Sequence, residues 1–419
     1  AKFETDNQAV NPDWYFKDKQ SALDFAAGDT GVDTTSEVVV EPSDGDDNTD
    51  IYHVGDGMSI QDAVNNASSG DTITVSAGTY NESMTIDTAN VTLTSTAGAD
   101  ATTINTTSLS RSNIPEAGDN VTVDGFSFVF DKQAIYVRGD NVTIRNSTFG
   151  LAEGTESNGY AVRYEGLTSD GELHNNTFTG INVSEEGEFG NGVVISGPDG
   201  HKVTDNEFTS NSIGVNVGNT QPAANLLIRN NSFTSQDNFG VALNHDDSET
   251  PKITIEQNEF TANEQGVLVL ANGSINVTEN NLNDGGIDAP SLSDTVNATF
   301  NYWGAADGPS GDFNGSGASA TGNIEIQPFY TNAERTTPSE PANYTITITD
   351  LNASVGVGDT VVANYTVNNT GDLTATQDID FLINGTNEGT NSSVTLDAGE
   401  NTSSAFRYTT TADDAPAIN

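Results

Sequence analysis

The sequence predicts an all-β chain: a parallel β-solenoid closed at its start by a short helix, followed by a β-sandwich. Two recurring phrases and one change of texture near residue 330 carry that prediction. The first phrase appears as "VTIRNSTFG", "ELHNNTFTG", "KVTDNEFTS", "LLIRNNSFTSQ" and "ITIEQNEFTA". Its aromatic marker falls at Phe128, Phe149, Phe178, Phe208, Phe233 and Phe260, continued by Leu282 and Trp303, at spacings of 21, 29, 30, 25, 27, 22 and 21. A period of about 25 residues belongs to repeat architectures. The second phrase falls between the markers as "QAIYVRG", "NGYAVRY", "NGVVISG", "SIGVNVG", "FGVALNH" and "QGVLVLA". Both phrases alternate apolar and polar residues between Gly, Asn and Asp, which is the period of strands. Units this short bury their apolar side only by stacking.

Residues 1–36, including "NPDWYFKDKQSALDFAAGDTGV", carry aromatics and a helical periodicity but receive no assignment. The solenoid is expected over 37–330. Ser59 is placed to cap a helix with Asp62 near its positive end, and Ile60, Ala63, Val64 and Ala67 share one face. That face would close the first coil, whose apolar side and backbone groups are otherwise open. Strand residues resume at Thr72 after Ser-Ser-Gly-Asp.

Two residues before each marker stand Asn176, Asn206, Asn231, Asn258, Asn280 and Asn301. Asparagine tolerates the left-handed conformation of a tight bend, and its amide can bond the equivalent amide one coil away. These six are expected to form an internal ladder.

The chain resembles the right-handed parallel β-helix proteins of the pectin-lyase-like superfamily. "SIQDAVNNASSGDTITVSAGTYNESMTI" is similar to the opening of such helices, and "NATFNYWGAADGPSG" to their last coil. The resemblance spans roughly residues 51–330 and implies the fold, not an activity, because the fold hosts lyases, hydrolases, epimerases, copper-delivery proteins and adhesins. After a polar linker at 331–342, residues 343–419 read as short alternating strands of an immunoglobulin-like sandwich. "VVANYTVNNTGDL" resembles cell-adhesion-related (CARDB-like) modules of microbial surface proteins. Those modules have about seven strands, and about five are legible here. The module is therefore expected to be incomplete, with a strand supplied by chain beyond Asn419 or by a second copy's "AKFETDNQAV".

Composition narrows the setting. The chain has 61 acidic against 13 basic residues and a net charge of −48. Self-repulsion at that density destabilises a compact state unless molar salt screens it. In this the chain resembles proteins of extremely halophilic archaea, and no basic patch offers a nucleic acid a footing. Cysteine is absent, which excludes disulfides and thiol chemistry. No long apolar run suggests a transmembrane segment, and a start at Ala1 reads as a processed, exported form. About twenty Asn-x-Ser/Thr sequons support export. Among them are Asn81, Asn90, Asn120, Asn141, Asn146, Asn182, Asn272, Asn276, Asn343, Asn364, Asn384 and Asn391.

Catalytic signals are sparse. Lyases of the resembled fold use a calcium-bound carboxylate set with an Arg or Lys base, and the hydrolases use paired carboxylates. Arg138 and Arg163 are expected at matching outward positions, with His201 and Lys202 one coil on, as the one enzymatic candidate cluster. The bland alternative makes them cations neutralising an acidic wall. "DGDDNTD" places Asp44, Asp46, Asn48 and Asp50 at alternate positions suited to calcium, although no cofactor is required by any motif. "NHDD" at 244–247 is too small a set for zinc or copper. Two readings follow: a non-enzymatic surface glycoprotein, in a filament or envelope layer and bound to its own copies, envelope proteins or glycans, or a secreted polysaccharide lyase or hydrolase.

Overall fold

The computed structural model describes residues 39–42, 50–55, 58–156, 159–166, 168–183, 189–196, 199–218, 225–244, 251–290, 292–352, 356–383 and 385–412. Within them the chain is a parallel β-solenoid with three sheets, of 13, 10 and 9 strands, followed by an antiparallel region of three plus two strands. The first strand, Val39–Pro42, pairs antiparallel with Asp50–Val54, and from there the 13-stranded sheet runs parallel to Ile324–Glu325. Helix Ile60–Asn66 buries Ile60, Ala63 and Val64 against the first coil. Ser59 caps it through its hydroxyl, which accepts the Asp62 N–H at 3.2 Å. Glu82 adds a second cap, accepting from the backbone N–H of Ile60 (2.7 Å) and Gln61 (3.0 Å), where a carboxylate suits the helix dipole.

The aromatic markers meet in register. Phe128, Phe149, Phe178, Phe208, Phe233 and Phe260 pair strand to strand and continue to Leu282. Successive rings stack at 4.8–4.9 Å with planes 3–10° apart. The Gly-led phrase answers this stack. A Cβ on Gly192, Gly214 or Gly240 would come within 2.9, 2.7 and 2.7 Å of the rings of Phe208, Phe233 and Phe260. It would also meet the backbone oxygen of the next coil's glycine at 2.6–2.7 Å. The two phrases are therefore one packing unit: each ring lies against backbone that only glycine leaves bare.

At the bend between the 13- and 9-stranded sheets, Asn206 Nδ2 donates to Asn231 Oδ1 and Asn231 Nδ2 to Asn258 Oδ1, each at 3.0 Å. The same step links Asn176 to Asn206, Asn258 to Asn280 and Asn280 to Asn301. Every acceptor oxygen also takes the backbone N–H one coil earlier. One expectation is corrected. The left-handed residue is the neighbour before each ladder position (Asn175, Asp205, Asn230, Gln257, Glu279, Phe300), not the ladder asparagine itself. The outward-pointing corner residue takes the positive φ, which leaves the buried one an ordinary backbone. A second amide ladder runs through Asn211, Gln236 and Asn263. Each backbone N–H before them bonds the next amide oxygen: Ile181 to Asn211, Asn211 to Gln236, Gln236 to Asn263.

The stretch expected as a polar linker folds back on the last coil. Thr331 N–H donates to Thr337 O, Ser339 is buried, and Arg335 Nη1 donates to Glu279 O at 2.6 Å. The C-terminal strands are Tyr344–Leu351, Thr360–Asn369 and Asn401–Thr409 in one sheet and Ala375–Ile383 with Thr386–Leu396 in the other. Tyr365, Val367, Ile379, Val394 and Leu396 form a small core between them. Asn369 of "NNTGD" is buried, donating to the carbonyls of Leu373, Leu396 and Asp397 and accepting from Asn343 and Gly371 N–H. Ile346 and Ile348 alternate onto the face of half-buried Tyr344 yet are 50% and 60% exposed, so the first strand's inner side is uncovered.

Candidate functional site

The outer face of the 10-stranded sheet gathers the cations best placed to meet a ligand. Tyr136 pairs with Arg163, which pairs with Val194 and then Asn216, forming one outward column. The Arg111 guanidinium lies 4.1 Å over the Tyr136 ring and donates from Nη1 to Gln133 Oε1 at 2.5 Å and from Nε to Asn113 Oδ1 at 3.3 Å. Arg163 is ion-paired with Glu165 and lies 5.7 Å from the Tyr160 ring. Burial pushes the Tyr160 hydroxyl up to about 12 although Arg111 and Arg163 oppose the shift, so it stays a neutral hydrogen-bonding group. Beside Arg111 opens a notch of about 600 Å³ between Thr106–Arg111 and Asp131–Gln133. Asp131 Oδ2 anchors it by accepting the Ser108 N–H at 2.8 Å. Thr106 Oγ1 and Asp131 Oδ1 are buried there without a hydrogen-bond partner among the described residues.

The expected catalytic cluster does not assemble. Arg138 is not opposite Arg163: the shared Val-Arg dipeptide aligns in sequence, but Val137 pairs with Tyr164 and Tyr136 with Arg163. Arg138 is a surface cation 3.7 Å from Glu116. Lys202 belongs to another sheet, between Glu172 and Leu227. His201 is 1% exposed. Gly171 N–H donates to its Nδ1 at 3.1 Å, so Nε2 carries the proton and faces Thr168 O at 3.0 Å. This is a satisfied interior imidazole, not a base on a surface. Nothing local in the sequence marks Arg111, Tyr136 or Tyr160 as members of one site. The second amide ladder did carry a signal, since Asn211, Gln236 and Asn263 each follow a marker phenylalanine by three residues.

His201 supplies a pH prediction. Burial lowers its pKa below the ordinary 6.5, so the unfolded chain binds the proton more readily. Its contribution is complete above pH 6.5 and is lost as pH falls toward the folded value. Between pH 6.5 and that folded value the loss should approach about 1.4 kcal/mol per pH unit, and below it the loss levels off. Denaturant melts between pH 7.5 and 5 at constant molar salt should show this slope, flattened in His201→Gln. Parallel curves for the two proteins would refute it.

Asp44, Asp46 and Asn48 lie outside the described residues, as do His245, Asp246 and Asp247, and Asp50 opens a strand. Among the described residues no three His, Asp or Glu converge as a metal site. Asn384 is also outside them, whereas the other eleven sequon asparagines named above are exposed or half-buried. No described helix is long and apolar enough to cross a membrane.

Residues 116–282 match a family model described as "Right handed beta helix region". No curated protein matches the chain. Similar solved structures include pectate lyase Pel9A, at 14% identity over 67% of this chain and 79% of that one, with a TM-score of 0.43. Alginate lyase AlyF-OU02 aligns at 15% identity over 59% and 62%, TM-score 0.35. A tailspike protein of E. coli bacteriophage HK620 aligns at 11% over 82% and 75%, TM-score 0.34. Residues 116–282 are thus similar to right-handed β-helix regions, and the parallel solenoid of the structure agrees with that match.

Proposed function

We propose that this protein is a non-enzymatic, N-glycosylated structural and adhesive component of the extracellular surface of a halophilic archaeon. Its partners in this reading are copies of itself, envelope proteins and glycans, met on the Arg111–Tyr136–Arg163 face and the adjoining notch. The C-terminal module serves as a spacer or binding arm, with its uncovered strand a place for an added one, and the sequence from Asp44 to Asp50 is the proposed calcium position. One observation carries the non-enzymatic part. Three of the four candidate bases are engaged in contacts of the fold: Arg163 with Glu165, Arg138 with Glu116, and His201 with Gly171 and Thr168. Guanidinium groups held on tyrosine rings bind and orient; a general base needs an available lone pair.

A panel of acidic and neutral polysaccharides at molar salt separates this from a lyase or hydrolase on the same face. Saturable binding is expected without new unsaturated or reducing ends, and Tyr136→Ala should weaken it about tenfold through loss of the Arg111 platform. Turnover of any polymer in the panel would replace the adhesive reading with the enzymatic one.

A further inference from the structure

Three successive coils carry one tripeptide at one corner: Asn90-Val91-Thr92, Asn120-Val121-Thr122 and Asn141-Val142-Thr143. The strands align Thr92 with Thr122 and Thr122 with Thr143. All three asparagines are exposed and left-handed, at φ 62°, 57° and 53°. The three valines are fully buried, and the threonines face outward, half-buried. The bend thus turns each asparagine out while the next residue anchors the coil, so the corner is a column of sequons. Neighbouring coils are one strand spacing apart, 4.9 Å between the stacked rings of Phe128 and Phe149.

The three amides are not equivalent. Asn141 Nδ2 donates to Asn120 Oδ1 at 2.7 Å. Asn90 Nδ2 donates to Ser69 Oγ at 2.7 Å. Asn120 only accepts through its side chain, and its Nδ2 has no hydrogen-bond partner among the described residues. The backbone beneath is equally held in all three, each N–H donating at 2.8 Å to the following coil.

We propose that Asn120 is the glycan-bearing residue of this column and that its glycan excludes modification of Asn90 and Asn141; this rests on the glycoprotein reading. In the transfer, Asn120 Nδ2 bonds to C1 of a phosphate-activated sugar as the C1–O bond to phosphate breaks. The phosphate leaves with that electron pair, and Nδ2 releases one proton to solvent. Asn120 keeps its Oδ1 bond from Asn141 throughout. Asn90 or Asn141 would first have to give up the hydrogen bond that its Nδ2 already donates. Once in place, a pyranose with its hydroxyls is wider than one coil spacing and overhangs both neighbours.

The test is glycopeptide mass spectrometry on the full chain purified from the cells that make it. A glycan is expected on Asn120, with Asn90 and Asn141 bare. Thr122→Val removes the sequon without touching the amide and should remove that glycan while the protein stays folded. A glycan on Asn90 or Asn141 with Asn120 bare, or on two of the three in one molecule, overturns the inference. Glycans elsewhere with the whole column bare overturn it too, leaving the glycoprotein reading intact. An absence of glycan at every sequon defeats the glycoprotein reading itself.

Discussion

Asn231→Leu is expected to destabilise the solenoid by about 3 kcal/mol or more, because it orphans several buried groups together. Asn231 Oδ1 accepts both the backbone N–H and Nδ2 of Asn206, at 2.9 and 3.0 Å. Its own Nδ2 donates to Val203 O at 2.8 Å and to Asn258 Oδ1 at 3.0 Å. Leucine has similar bulk but no polar atom, so those donors and acceptors remain buried and unpaired. The neighbouring Asn230 is the control. It is exposed at φ 57°, and its amide donates to Asp205 Oδ1 on the surface. Asn230→Leu should cost about 1 kcal/mol, mainly left-handed strain. Urea melts of both variants decide the matter, and equal losses would mean that the ladder does not hold the bend.

Lowering salt from molar to about 0.1 M should produce the largest change of all, up to loss of the fold. The 61 acidic residues are opposed by only 13 cations, leaving a net charge of −48, and several of those cations are locked in local pairs. At 1 M salt the Debye length is about 3 Å, shorter than a coil spacing, whereas at 0.1 M it is about 10 Å and carboxylates on successive coils repel one another. Thermal melts across that range should show Tm falling steeply with dilution. A flat Tm would remove the halophilic reading and leave the acidity without a purpose in stability.

Much of the fold was legible because a parallel stack places equivalent residues of successive coils together. Phe208 meets Phe233 and Asn206 meets Asn231 for one reason: the phrase repeats. The candidate face was far less legible. The shared Val-Arg dipeptide suggests that Arg163 stands opposite Arg138, but the strand register sets Arg163 opposite Tyr136. His201 and Lys202 are adjacent in the sequence, yet His201 turns inward just before the strand and Lys202 faces out on the 13-stranded sheet.

By itself, then, the sequence determined the β-helix, its capping helix, the spacing of its ladders and the acidity of its surface, since these follow from periodic patterns and composition. Tertiary structure alone decided that Arg111 covers Tyr136, that Gly192 makes room for Phe208, and that Asn120 has an unengaged amide where Asn141 does not. The physical reason is the unequal length of the coils. Between markers the chain advances by 21 to 30 residues, and those differences are absorbed in the turns. Strand periodicity says which side of a sheet a residue faces; the turns decide which sheet it reaches and what stands one coil away.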